Sequence, residues 1–232
     1  GEKHPPFIIA EMSGNHNQSL NRALSIVEAA AEAGAQAIKL QTYTADTMTI
    51  DSDGLDFTIS NPDSLWFGRT LYSLYAEAHT PWHWHAEIFK KARTLGLIPL
   101  STPFDETSVD FLEGLGCEIY KISSLENTDH NLIKKVAATG KPIIMSVGMM
   151  SQADALESVQ VAHDAGCENL VLLKCTSSYP AEACDANLVT IPELKKLTGC
   201  DIGLSDHTLG IGVAVASVIY GARIIEKHFT LS

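Results

Sequence analysis

The amino-acid sequence predicts an α/β fold, a (β/α)8 TIM barrel that forms one domain. Eight short apolar runs of strand length alternate with longer amphipathic segments that repeat with the period of a helix. Most of these helical segments end at a glycine, and the next apolar run follows within a few residues. This alternation is typical of a parallel sheet with crossover helices, which is either closed into a barrel or open and doubly wound. The count of eight units and the lack of a GxGxxG motif after the first run favour the barrel.

The elements follow one another in a regular order. The predicted strands, each short and apolar, are Phe7–Glu11, Ala37–Thr42, Ile98–Thr102, Ile119–Ser123, Pro142–Val147, Leu170–Cys175, Asp201–Asp206 and Arg223–Phe229. The predicted helices are Leu20–Ala33, Trp84–Leu95, Thr107–Leu115, His130–Thr139, Gln152–Ala165, Leu188–Leu197 and Ile211–Tyr220. Glycine stop signals follow at Gly34, Gly96, Gly116, Gly140, Gly166 and Gly221.

Two features depart from the regular alternation. A loop of about forty residues, Tyr43–His83, follows the second strand and is rich in Asp, Ser, Asn and Pro. Loops of this length in a compact domain are usually functional, and this one leaves from the strand end where barrel active sites lie. The sequence also stops at Ser232, directly after the eighth strand. We therefore expect residues 1–232 to be a barrel that is truncated after strand eight and lacks the helix covering that strand.

The composition excludes several classes of protein. Sixteen Lys and Arg stand against 28 Asp and Glu, so the net charge is −12, which argues against nucleic-acid and anionic-membrane partners. The five cysteines are scattered without a CxxC pair, as expected for reduced thiols in a cytoplasmic protein. No apolar stretch approaches the length of a transmembrane helix.

Polar residues collect at the predicted carboxyl ends of the strands, where barrel enzymes carry their chemistry. A barrel with only a structural role would need few of them, so their number predicts a functional site. These residues are Glu11, Asn15, His16, Lys39, Gln41, Thr102, Asp105, Lys121, Ser123, Ser124, Glu126, Ser146, Thr176, Ser177, Tyr179, Ser205, Asp206, His207, Glu226, Lys227 and His228.

Strand alternation sorts the last of these residues by face. Ser205 and His207 share one face of their strand and Asp206 points the other way, so these three residues are not a hydrolytic triad. His207 and His228 end neighbouring strands, and both can point into the barrel mouth. Two such imidazoles suit a divalent metal completed by oxygen ligands. The alternative is a pair of core histidines satisfied by the backbone.

Lys121 stands near the end of strand four and allows three interpretations. It can form a Schiff base, clamp a phosphate, or carry a surface charge. With a lysine, the hydroxyls of Ser124, Ser146 and Ser205 can hold a phosphate or carboxylate. As an alternative, each serine has a role in a turn or a helix cap.

Two carboxylates and one thiol are further candidates. Glu11 and Glu126 can contact sugar hydroxyls or act as acid and base, or they can balance nearby lysines. Cys175 is a candidate nucleophile, but a buried free thiol is the favoured interpretation.

Aromatic residues cluster at the end of the long loop. Trp66, Trp82 and Trp84 are interpreted as loop packing, with sugar stacking as the alternative. His83 and His85 have the spacing of exposed residues, and no role is assigned to them.

Motifs along essentially the whole chain resemble the sialic acid synthase family. The motifs are Phe7–Glu11 with Asn15–Asn17, Ile38–Thr42, Ser101–Asp105, Lys121–Glu126, Ser146–Met149, Lys174–Pro180, Leu204–Gly210 and Ile225–Leu231. Within the family, Leu71–Tyr75, Glu77–Ala78 and Thr80–Trp84 are similar to the pseudaminic acid synthase branch. At Ser177 the sialic acid branch carries a different polar residue.

The resemblance implies an enzyme, a phosphoenolpyruvate-dependent transferase. Such enzymes condense phosphoenolpyruvate with an open-chain N-acetylated amino sugar, and they release phosphate and a nine-carbon 2-keto (nonulosonic) acid. The metal is implied to be Mn²⁺, with Mg²⁺ or Co²⁺ as alternatives, bound by His207 and His228. The implied catalytic residues are Glu11, Glu126 and Lys121. The implied substrate-binding residues are Lys39, Gln41, Thr102, Ser124, Ser146, Tyr179 and Ser205.

The similarity to the pseudaminic branch implies a 2,4-diacetamido-2,4,6-trideoxyhexose as the sugar and pseudaminic acid as the product. We expect Tyr72, Tyr75, Trp82 and Trp84 to form an aromatic lid over it. The alternatives are an N-acetylneuraminate or legionaminic acid synthase, a Schiff-base aldolase, and a metal-free barrel that binds sugar or phosphate. The resemblance also implies a homodimer of the full-length protein and a carboxyl-terminal antifreeze-like domain beyond residues 1–232.

Overall fold

Eight parallel strands close into a barrel, which confirms the predicted fold class. The structure is a computed structural model and describes residues 4–231 apart from 63 and 65. Each strand pairs with the next one along the chain, and the last pairs with the first. The strands are β1 (Phe7–Glu11), β2 (Ala37–Thr42), β3 (Ile98–Pro103), β4 (Tyr120–Ile122), β5 (Ile143–Ser146), β6 (Leu170–Cys175), β7 (Asp201–Asp206) and β8 (Ile224–His228).

Helices connect the strands around the outside of the barrel, and each of the seven predicted ones is present. Ser19 caps the first of them by accepting the N–H of Arg22, and the chain leaves it through Gly34, at φ +84°. The helices are α1 (Leu20–Glu32), α2 (Ala45–Met48), α3 (Leu71–Ala78), α4 (Trp82–Thr94), α5 (Glu106–Gly114), α6 (His130–Ala137), α7 (Gln152–Asp164), α8 (Thr190–Thr198) and α9 (Gly212–Ile219). Among the described residues, none of the helices is long and apolar enough to cross a membrane.

The segment Tyr43–His83 is more ordered than the predicted loop. It contains α2, α3 and a single 3-10 turn, and α4 begins at Trp82 rather than Trp84. Thr44 and Thr70 cap the amino-terminal ends of α2 and α3 with their hydroxyl groups. The prediction of a single long loop was wrong because α2 and α3 have four and eight residues. Such short helices leave little periodic signal in a sequence.

The apolar core has two layers. A small cluster fills the barrel interior, and a larger one lies between the sheet and the helices, because successive strand residues point to opposite faces. The interior cluster consists of Ile9, Ala37, Leu100, Ile144 and Leu173. These residues close the barrel axis below the carboxyl ends of the strands.

The register of the strands brings the predicted polar residues to one level. Glu11 pairs with Lys39 on one side and with His228 on the other. Gln41 of β2 lies beside Thr102 of β3, and Ser205 of β7 lies beside Glu226 of β8. Closing the barrel therefore gathers side chains from opposite ends of the sequence around a single opening.

At Gly203 of β7 the backbone of β8 approaches closely, so a substitution at this position tests that contact. A Cβ atom on Gly203 would meet the carbonyl oxygen of Ile224 and would lie 2.6 Å from Cδ2 of Leu173. We expect Gly203→Ala to lower the free energy of unfolding by more than about 3 kcal/mol, because a backbone atom cannot move aside as a side chain can. Urea denaturation measures the change.

Gly114→Ala is the matched control. Nothing lies within 4 Å of a Cβ atom at this position, in the last turn of α5. Removing a glycine there should raise stability by about 0.5–1 kcal/mol. If the two variants have equal stability, the strands do not approach as closely as described.

Candidate active site

A cavity of about 180 Å³ opens at the carboxyl ends of the strands. Every residue to which a catalytic, substrate-binding or metal-binding role was assigned lines it except Glu126. The lining residues are Glu11, Lys39, Gln41, Thr102, Phe104, Lys121, Ser123, Ser124, Leu125, Ser146, Met149, Cys175, Ser177, Tyr179, Ser205, His207, Glu226 and His228. The predicted placement of polar side chains at this end of the barrel is confirmed.

The floor of the cavity is a buried cluster of charges. Nζ of Lys39 forms an ion pair with Oε2 of Glu11, lies 3.9 Å from Oε1 of Glu226 and donates to Oγ1 of Thr102 at 3.2 Å. Glu226 also accepts a hydrogen bond from Ser205 at 3.3 Å. Glu11 therefore does balance a lysine, as the structural alternative for this residue predicted.

In this cluster, burial and ion pairing shift the pKa of each charged group in opposite directions. Burial raises the pKa of Glu11 more than the neighbouring Lys39 lowers it. For Glu226 the attraction of Lys39 and Lys121 outweighs burial and lowers the pKa. Burial also opposes the charge of Lys39, but the two carboxylates outweigh it and raise the pKa of that ammonium. Lys39 and Glu226 therefore stay charged, while Glu11 is the carboxylate better able to hold a proton.

Lys121 is a buried cation of a different kind. Only 2% of its surface is exposed, and Nζ donates to the carbonyl of Ile122 at 2.9 Å and to Oγ of Ser146 at 2.6 Å. Among the described residues, no carboxylate oxygen lies within 4.0 Å of this nitrogen. Burial lowers its pKa. The surface-charge interpretation is excluded. Glu226 and Glu11 attract this ammonium from beyond 4.0 Å, and an anion entering the cavity would bring a negative charge into direct contact with it.

Two imidazoles stand at the rim. The ring centroids of His207 and His228 are 5.3 Å apart, and the ring of Tyr179 lies 4.2 Å from the first and 5.8 Å from the second. Nδ1 of His207 is 2.8 Å from the carbonyl oxygen of Thr176. With a proton on Nδ1 donated to that carbonyl, Nε2 keeps a lone pair. Both rings line the cavity rather than the core, so the core-histidine alternative does not describe them.

The donor set fits an open metal site. Burial lowers the pKa of His228 to about 4, so its ring is neutral at pH 7. For His207, burial favours the neutral form too, but contacts with Cys175 and Thr176 outweigh it and raise the pKa. Within the described part of the chain, no three His, Cys, Asp or Glu side chains form a metal cluster. The protein therefore offers two nitrogen ligands, and water or substrate would complete the coordination.

Cys175 lies in the cavity and not in the apolar core. Its Sγ is 3.7 Å from Oγ of Ser177 and 4.0 Å from Nδ1 of His207. Burial raises the pKa of this thiol, but its contacts with His207 and Ser124 outweigh that effect and lower the pKa to about 7. The prediction of a free thiol is confirmed, but Cys175 is half-buried rather than buried, because the end of β6 opens toward the cavity.

Glu126 lies beside the cavity without lining it. It is half-buried and accepts a hydrogen bond from Ser123, which does line the cavity. Burial raises its pKa, and Ser123 and Lys121 oppose that rise. Glu226 was predicted to lie at a strand end but was given no role in the site, although its alternation with His228 in β8 indicates that both residues share one face of the strand.

The alternation predicted for β7 is confirmed. Ser205 and His207 line the cavity, and Asp206 faces away from it. Oδ2 of Asp206 binds Nζ of Lys227 at 2.7 Å, and Oδ1 accepts the hydroxyl of Thr208 at 2.7 Å. Asp206 is therefore a structural group outside the barrel mouth.

The expected aromatic lid is not present over the cavity. Trp82 stacks on Phe111 at 4.6 Å, and Trp84 packs edge-on against His16 at 5.5 Å. Neither these residues nor Tyr72 and Tyr75 line the cavity. The lid prediction was wrong because these side chains contact neighbouring segments instead: Tyr75 packs against Tyr43, and Tyr72 donates a hydrogen bond to Asp46 of α2. The loop-packing interpretation holds for Trp82 and Trp84.

Phe104 is the aromatic residue that reaches the cavity from this side. Behind it lies Tyr43, whose ring is 5.2 Å from Phe104 and 5.9 Å from Tyr75. The long segment therefore contributes to the site indirectly, by supporting Phe104.

A larger cavity of about 680 Å³ opens at the opposite end of the barrel. Its lining includes Phe7, Ile119, Ile143, Leu170 and Ile224, and none of the predicted site residues. Size alone therefore does not identify the site, whereas the converging charged groups do.

The barrel and its charged cavity define a class of protein, the (β/α)8 enzymes with two imidazoles and two buried lysines at the carboxyl ends of the strands. The sequence matches the NeuB family over residues 26–232, and the chain belongs to that family. The resemblance inferred from the motifs is confirmed.

Particular relatives carry names from nonulosonic acid synthesis. The chain is 43% identical over 228 residues to the pseudaminic acid synthase of Helicobacter pylori, covering 98% of this chain and 66% of that protein. It is 38% identical over 231 residues to the N,N'-diacetyllegionaminic acid synthase of Campylobacter jejuni, covering 97% and 67%. The N-acetylneuraminic acid synthetase of Leptospira borgpetersenii superposes with a TM-score of 0.88 at 31% identity, covering 99% and 74%. The chain thus spans about two thirds of the length of the curated relatives it matches.

His85 corrects a prediction and supports a test. It was expected to be exposed, but its ring is fully buried and Nε2 is 2.9 Å from Oγ1 of Thr42, which in turn contacts Ser101. Burial lowers its pKa from 6.5 to about 4. Between these two pH values the unfolded chain binds a proton at His85 and the folded chain does not.

Stability should therefore fall as the pH drops from 6.5 to 4, and His85 should contribute about 3 kcal/mol of that loss. Urea denaturation of wild type and His85→Gln at several pH values isolates this contribution, because the amide does not titrate. We expect a shallower dependence on pH in the variant. Parallel curves for the two proteins would contradict the burial of a neutral ring.

Proposed function

We propose that the protein condenses phosphoenolpyruvate with an open-chain 2,4-diacetamido-2,4,6-trideoxyhexose to give pseudaminic acid and phosphate. The observation that carries this proposal is Lys121, a buried cation without a carboxylate partner among the described residues, in a cavity that two imidazoles border. The identity of 43% to a relative named pseudaminic acid synthase supports the choice of sugar.

The charged and hydroxyl groups divide the cavity into two regions. Lys121 and Ser146 are hydrogen bonded to each other, and Ser124 lies nearby against the backbone of Gly148. An ammonium with adjacent hydroxyls suits the phosphate and carboxylate of phosphoenolpyruvate. His207, His228 and Tyr179 stand on the other side, at the rim, where the sugar enters.

The reaction needs a new carbon–carbon bond and a proton balance. C3 of phosphoenolpyruvate bonds to the aldehyde carbon of the sugar, and the aldehyde oxygen gains a proton. Positive charge develops at C2, where water adds and loses a proton. The tetrahedral intermediate then loses phosphate by C–O cleavage, which leaves the 2-keto group. Glu11 is better placed than Glu126 to exchange a proton, because it lines the cavity and burial raises its pKa.

His207 and His228 would hold a divalent metal, Mn²⁺ in the first instance and Mg²⁺ or Co²⁺ as alternatives. When bound, such an ion supplies Lewis acidity for a carbonyl oxygen. The chain's own part is orientation, because the carbonyl of Thr176 fixes the ring of His207 through Nδ1. A metal binds the neutral form of an imidazole, so protons compete with the metal and its affinity should increase with pH.

The sugar would meet both apolar and aromatic surface. Phe104, Leu125 and Met149 line the cavity, and 69% of the Tyr179 side chain is exposed beside the imidazoles. A 6-deoxy methyl group on such surface is worth only about 0.8 kcal/mol. Rejection of N-acetylmannosamine would therefore come mainly from hydroxyl groups left without partners.

Two other functions have supporting observations. A legionaminic acid synthase would use the same chemistry on another sugar, and a relative with that name is 38% identical. A Schiff-base aldolase is favoured by the lowered pKa of Lys121, because a neutral amine is the nucleophile. A homodimer of the full-length protein and a cytoplasmic location are further parts of our proposal.

The first prediction from this proposal concerns the substrates. The full-length protein with phosphoenolpyruvate and Mn²⁺ should release phosphate fastest with the 2,4-diacetamido-trideoxyhexose of the pseudaminic pathway, compared by kcat/KM with its legionaminic isomer and N-acetylmannosamine. A preference of about tenfold or more is expected. Faster turnover of either other sugar reassigns the substrate. If borohydride traps pyruvate covalently on the protein without a metal, the protein is a Schiff-base aldolase and not a synthase.

The second prediction concerns the metal. His207→Ala and His228→Ala should each weaken Mn²⁺ binding by more than about 100-fold, since loss of a direct ligand exceeds the usual effect of an outer contact. Calorimetry measures the affinity, and circular dichroism checks the fold. His83→Ala, an exposed histidine on α4, is the control and should bind Mn²⁺ normally. Unchanged Mn²⁺ affinity in either cavity variant would remove that residue from the metal site.

A further inference from the structure

One wall of the cavity is formed where β5 ends. The segment Ser146–Gly148 begins at the last residue of β5, and both of its end residues touch groups that line the cavity. Oγ of Ser146 accepts the hydrogen bond from Lys121 at 2.6 Å. The N–H of Gly148 donates to Oγ of Ser124 at 3.2 Å. The positions of an ammonium and of two hydroxyls therefore depend on where this segment lies.

Asn127 holds the segment from behind. It is 2% exposed and does not line the cavity. Its Nδ2 donates to the carbonyl of Ser146 at 3.0 Å and to the carbonyl of Gly148 at 2.9 Å. The backbone carbonyl of Asn127 accepts the hydroxyl of Ser158, a fully buried residue of α7, at 2.6 Å. The side-chain amide thus links the segment Ser146–Gly148 to the loop that follows β4, and the backbone carbonyl links that loop to α7.

On the other side of the segment from Asn127, Gly148 allows two serine hydroxyl groups to approach the backbone closely. A Cβ atom at this position would lie 2.8 Å from Oγ of Ser124, 2.8 Å from Oγ of Ser177 and 3.2 Å from the carbonyl of Cys175. Two hydroxyl groups, from the loops that follow β4 and β6, therefore converge on a backbone position that has room only for hydrogen. A larger residue would push at least one hydroxyl away.

The residues Lys121, Ser124, Ser146 and Ser177 form one wall of the cavity, which we call the anion wall. We propose that Asn127 and Gly148 are positioning residues for the anion wall, and that they set the affinity for phosphoenolpyruvate. This inference rests on the proposed function, because it takes phosphoenolpyruvate as the anion. Neither residue adds charge to the cavity. Their contribution is to hold the wall in place before the substrate arrives, so that binding does not have to order it.

The first test replaces Asn127 with leucine, which has a similar volume and no donors. Titration calorimetry of the full-length protein with Mn²⁺ should show phosphoenolpyruvate binding about 10–100-fold more weakly. The KM for the sugar should stay within about twofold, since Asn127 contacts none of the groups at the rim. If Asn127 had only a structural role, the variant would contain a smaller fraction of active protein. The KM values for phosphoenolpyruvate and for the sugar would then both stay unchanged.

Ser217→Ala is the control for the loss of a buried hydrogen bond. Ser217 is fully buried in α9 and donates to the carbonyl of Ala214, far along the chain from the anion wall. This variant should bind phosphoenolpyruvate as wild type does. Equal weakening in Ser217→Ala and Asn127→Leu would overturn the positioning role.

The second test needs no change at Asn127. Gly148→Ala should weaken phosphoenolpyruvate binding at least about tenfold, and the same substitution should have a smaller effect when Ser177→Ala has already removed one of the colliding hydroxyls. Additive effects in this double-mutant cycle would overturn the role of Gly148.

The outcomes separate the two proposals. If wild type does not bind phosphoenolpyruvate with Mn²⁺ present, the proposed function fails. If wild type binds it and Asn127→Leu binds it equally well, the function stands and the positioning role is overturned.

Discussion

The ammonium group of Lys39, buried between the carboxylates of Glu11 and Glu226, is the contact on which the rest of the site depends. Three buried ionisable groups are tolerated together because the ammonium attracts both carboxylates, which offsets part of the cost of removing their charges from water. They come from β2, β1 and β8, so this cluster ties the first strands of the chain to the last across the closure of the barrel. The neighbouring His228 and Ser205 take their places from the same register.

Lys121 is held differently from Lys39. The carboxylates of the floor compensate Lys39, while the hydrogen-bond partners of Lys121 within the described part of the chain are a carbonyl and a hydroxyl. A protein with a net charge of −12 would repel a small polyanion at long range. A buried cation without its own carboxylate provides a local attraction that offsets this repulsion. The negative overall composition and an anionic substrate are therefore compatible.

Contacts between residues that are distant in the sequence explain why some predictions made from the sequence were wrong. His85 shares its turn of helix with the exposed His83, and its burial depends on Thr42 of β2, 43 residues away. The aromatic residues before it pack on α5 and on His16, so their number does not indicate a lid. Glu126 immediately precedes Asn127, yet the loop turns the former beside the cavity and the latter behind it. No local pattern separates these outcomes.

The order of the elements, the closed barrel and the face of each strand-end residue follow from the sequence alone. The reason is that the alternation of strand side chains and the carboxyl-end location of barrel sites are local and topological rules. Lys39, Ser205, Glu226 and His228 reach the cavity by those rules alone. Which charges pair depends on the closed barrel: Glu11 pairs with Lys39, while no carboxylate of the described residues lies within 4.0 Å of the Lys121 ammonium. The support that Asn127 gives the anion wall from behind also depends on the tertiary structure, because contacts between separate loops exist only once the barrel has closed.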